Sequence, residues 1–246
     1  MTAPWNAAAY DRVADPQARW GAEVLTRLPL AGDETVLDAG CGSGRVTELL
    51  LERLPEGRVV ALDLSGGMLL EARRRLARFG ERVTFVEADL AKPLPIQPVD
   101  AILSTATFHW VLDHDVLFAN LAAVLRPGGW LVAQCGGFGN VQRFVDAAKR
   151  VDPSFTRHHN FQTPDATRDR LERSGFTDVQ AWLSPAPTRF EPGEPFAAFL
   201  ETVCLRPTLA DMPDDRRKPF VEAVAREMGE PVLDYVRLNI VARRAG

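Results

Sequence analysis

The densest chemical signal in these 246 residues is the stretch "VLDAGCGSGR", which brings Asp38, Gly40, Cys41, Gly42, Ser43 and Gly44 together. Glycine at every second position lets the backbone turn sharply and approach a ligand closely, since no Cβ intervenes. A loop that cradles a dinucleotide pyrophosphate reads G-x-G-x-x-G and offers a helix N-terminus to the phosphates. Here the spacing is G-x-G-x-G, the residue three past Gly42 is Arg45, and the Asp38 carboxylate would repel a pyrophosphate. An acidic residue at that place suits a ligand that carries an ammonium group and no phosphate. Asp63 closes the next apolar run, where a carboxylate can accept from both ribose hydroxyls of an adenosine. Asp89, in "EADL", stands where it could accept from the adenine amino group.

Each of these features has a plainer alternative. The glycines could serve only a tight strand-to-helix turn, and Asp63 or Asp89 alone could be a solvated strand terminus. Three acidic positions at three successive strand ends suit a cationic nucleoside amino acid, and S-adenosylmethionine is such a molecule. The expected contacts are Asp38, Gly40, Cys41, Gly42, Ser43 and Gly44 in the loop, then Asp63, Leu64 and Met68. Ala88, Asp89 and Leu90 follow after the third strand.

A second stretch, "ATFHWVLDH" from Ala106 to His114, brings Phe108, His109 and Trp110 to the end of an apolar run. They either plug a core or wall a site. Trp110 offers an indole N–H and no acceptor, which suits a carboxylate oxygen, whereas His109 could donate to a carboxylate or act as a base. Both are candidate catalytic residues, with aromatic packing as the alternative. A carboxylate acceptor also calls for arginine, whose planar fork binds it bidentately. Arg143, Arg157, Arg206 and Arg237 fall in segments expected to border the cap, with a plain surface arginine as the alternative for each, and Arg143, Arg206 and Arg237 are the candidate substrate residues. His158 and His159 are adjacent, so an extended chain points them apart, and His109 and Asp113 are helix-spaced only if their segment is helical. No metal site is expected.

The elements that must position these residues follow from periodicity. "TVLDAG", "RVVALDL", "RVTFVEADL", "VDAILST" and "WLVAQCGG" read as five strands. Between them lie helices: "RVTELLLERL" with Val46, Leu49, Leu50 and Leu54 inward, a helix capped by Ser65 with Met68, Leu69, Ala72 and Leu76 inward, and "HDVLFANLAAVLRPGG", ending at Pro-Gly-Gly. Strand–helix alternation with apolar strands predicts a parallel sheet covered on both faces. Beyond Gly137, "TPDATRDRLERSGF" reads as a helix with proline in its first turn, "DVQAWLSPAP" as a strand, and "LDYVRLNIVARR" as a last strand alternating Tyr235, Arg237 and Asn239 with Val236, Leu238 and Ile240. The expected organisation is one domain over 1–246. Its core spans about 30–137, 164–184 and 232–244, and a mostly helical cap comes from 1–29, 138–163 and 185–231.

Composition narrows the function classes. With 46% hydrophobic and 25% charged residues the chain reads as a soluble globular protein, and a net charge of −4 provides no basic field for nucleic acid. Cys41, Cys135 and Cys204 form no C-x-x-C pair, and "MTAPWNAAAYDRVADPQ" lacks the basic start and apolar segment of a signal peptide. No run is long and apolar enough to span a membrane. The expectation is a cytoplasmic protein, monomer or homodimer, whose partner is a small molecule.

The motif "VLDAGCGSG" resembles the first motif of class I S-adenosylmethionine-dependent methyltransferases, and "LRPGG" at Leu125–Gly129 resembles the turn before that family's fifth strand. The resemblance implies a Rossmann-like sheet of seven strands, mostly parallel, with an antiparallel last hairpin, and cofactor contacts at Asp38, Gly40, Asp63, Asp89 and the fourth-strand end, Ser104, Thr105 and Ala106. Within the family the chain resembles the trans-aconitate methyltransferase group through "WNAAAY", "EVLTRLPL", "VEADL", "HWVLDH", "LRP" at 205–207 and "VRLNIVARR". That likeness implies O-methylation of a carboxylate on a small acid and a role for Tyr10 in covering the cofactor. "QCGGFGN" after the fifth strand is more glycine-rich than the group's pattern, so the acceptor pocket is where this chain departs. The alternatives are C-, N- or hydroxyl O-methylation of a secondary metabolite, or a regulator that binds the cofactor without turnover.

Overall fold

Short β-branched runs alternating with amphipathic helices fold into a seven-stranded sheet in the computed structural model, which describes residues 15–246 and their side chains from Trp20 onward. The first five strands are β1 (Thr35–Ala39), β2 (Arg58–Asp63), β3 (Val83–Glu87), β4 (Val99–Thr105) and β5 (Leu125–Gly136). Next come β6 (Phe176–Pro185), the short β7 (Thr188–Arg189) and β8 (Val232–Leu233), and β9 (Val236–Arg244). The order across the sheet is β3-β2-β1-β4-β5-β9-β6. β1 to β5 pair in parallel, and β9 runs antiparallel to both β5 and β6. The mostly parallel, Rossmann-like sheet expected from the sequence is therefore the one that forms. Its order reverses between β1 and β4, and a crevice at such a switch point lies beyond the strands' carboxyl ends.

Alternate strand residues feed opposite layers. Leu37, Ile102 and Leu131 join an apolar cluster with Phe118, Leu121 and Leu171, while their neighbours Val36, Leu103 and Val132 join another with Leu50, Leu51 and Leu69. The covering helices include α1 (Asp15–Leu25), α2 (Arg45–Glu52), α3 (Gly66–Arg75), α4 (His114–Val124), α5 (Gln142–Val151) and α6 (Pro164–Arg173). A third cluster joins α5 to α7 (Glu194–Phe199), the π-helical turn Leu200–Cys204, α8 (Arg206–Ala210) and α9 (Asp214–Met228), and it includes Trp20 and Tyr235. No helix among the described residues is long and apolar enough to cross a membrane.

Two local expectations need correction. In α2 the inward face is Val46, Thr47, Leu50 and Leu51 with Leu54, and Leu49 is 37% exposed. The helix that was to reach Gly129 stops at Val124, with Leu125 already extended (φ −92°, ψ 125°). The residue before a proline is disfavoured in the α region, which here turns Arg126-Pro127 into strand. Both faces of β9 are buried, with Arg237 and Asn239 enclosed like Leu238 and Ile240.

Candidate functional site

β1 delivers Gly40 directly into a left-handed turn, and Gly40, Gly42 and Gly44 all have positive φ (84°, 55° and 83°). The Gly40 and Cys41 N–H groups donate to Leu62 O at 2.8 and 2.9 Å, folding the loop back on β2. The glycines have different local reasons. A Cβ on Gly40 would stand 2.2 Å from the Thr107 side chain, and one on Gly44 would press on Leu76 at 3.1 Å. At Gly42 a Cβ would meet no protein atom within 4 Å, although that residue lines a cleft of about 220 Å³. Space left open on that side of Gly42 is space for a ligand.

Asp63 braces this loop. Its Oδ2 accepts from the Gly42 N–H at 2.9 Å and its Oδ1 from the Ser65 N–H at 2.8 Å. Burial raises its carboxyl above the usual carboxylate range, and the bonds from Ser65, Gly42 and Leu64 oppose that rise. Asp38 lies deeper, at 1% exposure, under the loop. Its Oδ2 accepts from the Thr47 hydroxyl at 2.6 Å, whereas the buried Oδ1 has no hydrogen-bond partner. Burial pushes the Asp38 carboxyl up to about 7, the Thr47 bond pulls against this, and the Asp63 charge adds to it. An unpartnered buried carboxylate oxygen is costly, and a ligand ammonium removes that cost.

Of the expected cofactor residues, Gly40, Gly42, Asp63, Leu64 and Met68 line the cleft, as do Ala88, Leu90, Thr105 and Ala106. The others stand behind it. Cys41 belongs to an apolar cluster, with its thiol held protonated by burial and by the Asp38 and Asp63 charges. Ser43 is buried, its carbonyl accepting from Arg75 Nε at 3.0 Å. Gly44 serves packing. Asp89 closes its own turn by accepting the Ala91 N–H at 2.9 Å. The Ser104 hydroxyl is turned inward, donating to Ala39 O at 2.7 Å and tying β4 to β1. Tyr10 lies outside the described residues. Thr107 and Val111 also line the cleft, and nothing in the local pattern marked them.

Ala106 and Trp110 are shared with a second cavity of about 70 Å³. Its walls include two strained residues, Ala106 (φ 56°) and Val141 (φ 49°). A non-glycine residue in this region costs about 1–2 kcal/mol, and such strain gathers at functional sites. The turn Phe108–Trp110 divides its side chains. Phe108 is core, edge-on to Phe118 at 6.0 Å. His109 and Trp110 face the cavity, with the Trp110 ring 4.2 Å from His159, which stacks on Phe161 at 5.3 Å. The Gly136 N–H donates to His109 Nδ1 at 3.2 Å, which leaves the imidazole proton on Nε2. Burial, with the nearby His159, Arg237 and His114, holds His109 well below the usual imidazole range. Burial also lowers His159 to about 4.

The expected substrate arginines separate. Arg237 lines the second cavity, buried, with its guanidinium 4.7 Å over the Trp20 ring. Arg206 lines the first cleft beside Trp110 and Val111, and burial lowers its pKa. Arg143 lines neither cavity; it is exposed, and its backbone N–H donates to Asp234 at 3.1 Å to start α5. Arg157 is drawn over Phe161 at 4.9 Å. Asp113 caps α4 by accepting the Asp115 and Val116 N–H groups, and His114 Nε2 lies 2.9 Å from Phe108 O. Both are thus engaged in local structure. Asn140, Phe144, His159 and Tyr235 also line the second cavity, and nothing in the local pattern showed that these distant positions meet Ala106.

Residues 36–129 match the family model described as a methyltransferase domain. Among curated proteins, a trans-aconitate 2-methyltransferase of Methylobacterium nodulans is 37% identical over 190 residues, covering 75% of this chain and 69% of that protein. Another of that name, from Acidovorax sp., is 31% identical and covers 98% of both chains. Among solved structures, phosphoethanolamine N-methyltransferase 2 of Haemonchus contortus, in complex with S-adenosyl-L-methionine, superposes with a TM-score of 0.66 at 17% identity. That match spans 98% of this chain and 57% of the other. With a glycine loop and acidic strand ends of this geometry, and relatives aligned nearly end to end, the chain belongs to the class I S-adenosylmethionine-dependent methyltransferases that act on small molecules.

Proposed function

We propose that this methyltransferase esterifies a carboxylate of a small acid, and that the reacting oxygen sits where the two cavities meet, at Ala106 and Trp110. When bound, S-adenosylmethionine supplies an electrophilic methyl on a sulfonium. In this reading Asp38 meets the ammonium group of the cofactor, Asp63 its ribose hydroxyls and Ala88–Leu90 its base. Segments 138–163 and 185–231 act as the cap over the acceptor.

The observation that carries the reading is the hydrogen bond from the Gly136 N–H to His109 Nδ1. It makes the neutral imidazole a donor through Nε2, and its lowered pKa makes it a weak base. Trp110 adds another N–H that can only donate, and Arg237 adds a cation. A carboxylate is already ionised at neutral pH and needs donors, a cation and alignment, but no base. A hydroxyl or ammonium acceptor needs a proton removed, and a wall of donors does not suit it. The names carried by the relatives agree with a small acid. The test is to incubate the purified protein and S-adenosylmethionine with a panel of aliphatic and unsaturated di- and tricarboxylic acids, phenols and amines, and to read products by mass spectrometry. A methyl ester that saponifies in alkali is expected; an ether or methylamine as the sole product would overturn the reading.

A further inference from the structure

The buried polar face of β9 continues into a line of side chains that ends at the second cavity. Gln134 on β5 lies directly across from Asn239 and diagonal to Arg237, since Gln134 pairs with Asn239 and Gly136 with Arg237. Arg27 Nη1 donates to Asn239 Oδ1 at 2.6 Å. An arginine has only donors, so Asn239 must turn its oxygen toward it. That oxygen also receives Gln134 Nε2 at 2.8 Å, which leaves Gln134 Oε1 to accept from Arg237 Nε at 3.3 Å. Asn239 is held in turn by donating to Ser184 Oγ at 3.1 Å. Each amide orientation follows from the one before it, and the last group fixed is the guanidinium of Arg237, with Trp20 beneath it.

Gln134, Asn239 and Arg237 are all buried. Burying such groups brings little stability over apolar residues of the same shape, so an unbroken line leading to a cavity wall points to a task there. We propose that Gln134 is a positioning residue: it fixes the Nε edge of Arg237 so that the guanidinium presents to a carboxylate of the acceptor. The proposal rests on the carboxylate reading of the proposed function.

Gln134→Glu tests it with almost no change of shape, because the new carboxylate competes with the acceptor for Arg237. The probe is trans-aconitate, or the acid giving most ester in the panel if trans-aconitate gives none. We expect KM for the acid to rise at least tenfold, with kcat changed less than about threefold and the affinity for S-adenosylhomocysteine, by calorimetry, unchanged. Gln134→Leu, which removes the bond to Arg237 Nε without adding a charge, is expected to raise KM by a smaller factor. An ester product with unchanged KM in Gln134→Glu overturns this proposal alone. Equal losses of acid and S-adenosylhomocysteine binding overturn it in favour of a purely structural role. A panel yielding no ester overturns the carboxylate reading, and this proposal with it.

Discussion

Asp38 keeps one oxygen on Thr47 and the other without a partner, and this asymmetry makes its proton a reporter of cofactor binding. An ordinary aspartate titrates near 3.8, and burial raises Asp38 to about 7. Between those values the folded chain holds a proton that the unfolded chain has lost, so Asp38 makes stability fall as pH rises through that window. A ligand ammonium reverses the preference and expels the proton. Affinity for S-adenosylhomocysteine should therefore weaken as pH drops below about 7, approaching tenfold per unit. Calorimetry in buffers of different ionisation heat should detect the released proton at pH 6, and Asp38→Asn should abolish both effects. A flat wild-type profile would remove Asp38 from the ammonium site. At this scale residue type and strand-end position made Asp38 and Asp63 readable. They marked Trp110 and not Phe108 as a candidate but left core and site wall open for both, because a single tight turn sends neighbouring aromatics to core and cavity. Nor did they reveal that Arg143 contributes its backbone to a helix start and lines neither cavity.

The glycine loop is a lesson in element design, since its glycines answer to different constraints. Gly40 faces Thr107, so Gly40→Ala combines a left-handed alanine with a collision at 2.2 Å. Gly42→Ala bears only the conformational cost, about 1–2 kcal/mol, or a fall in melting temperature of roughly 2–8 °C for a chain of this size. We expect Gly40→Ala to melt well below Gly42→Ala. Gly42→Ala should nevertheless bind S-adenosylhomocysteine at least tenfold more weakly, because its methyl enters the cleft. Thermal melts and calorimetry on the pair check both orders, and a Gly42→Ala protein with wild-type affinity would show that no ligand approaches there. The strands and the sheet type were legible because apolar runs and helical stripes alternate so regularly. The facing of α2 was not, because a run of Leu49, Leu50 and Leu51 supports two inward stripes and only contact with the sheet decides between them. The polar alternation of β9 left open what its polar face meets, and neighbours from β5, β6 and the segment after α1 bury it.

Across the whole molecule, two cavities share a wall, and each should stabilise the fold when filled. A ligand present at a hundred times its Kd, binding only the folded chain, adds about 2.7 kcal/mol. For S-adenosylhomocysteine this should raise the melting temperature by roughly 5–10 °C. An acid acceptor should add a further rise, larger with S-adenosylhomocysteine present than without it, because Trp110 and Ala106 border both spaces. Equal rises with and without it would mean the spaces do not communicate. Little of the second cavity was legible in advance. Its walls come from around residues 106–110, 140–144, 159–161, 203–204 and 235–237, and local periodicity carries no record of which distant segments meet.

The direction of β9 settles how that meeting is achieved. Six strands of the sheet finish at the rim where the site lies, and β9 alone begins there, with Arg237 beside the end of β5. The cleft around the glycine loop draws mostly on residues 40–111, while the adjoining cavity draws heavily on residues 140–237. Under the proposed function, donor handling and acceptor choice fall largely in successive blocks of one chain. Such an arrangement lets recombination between relatives exchange the later block, giving new acceptor preferences to an inherited methyl-donor half.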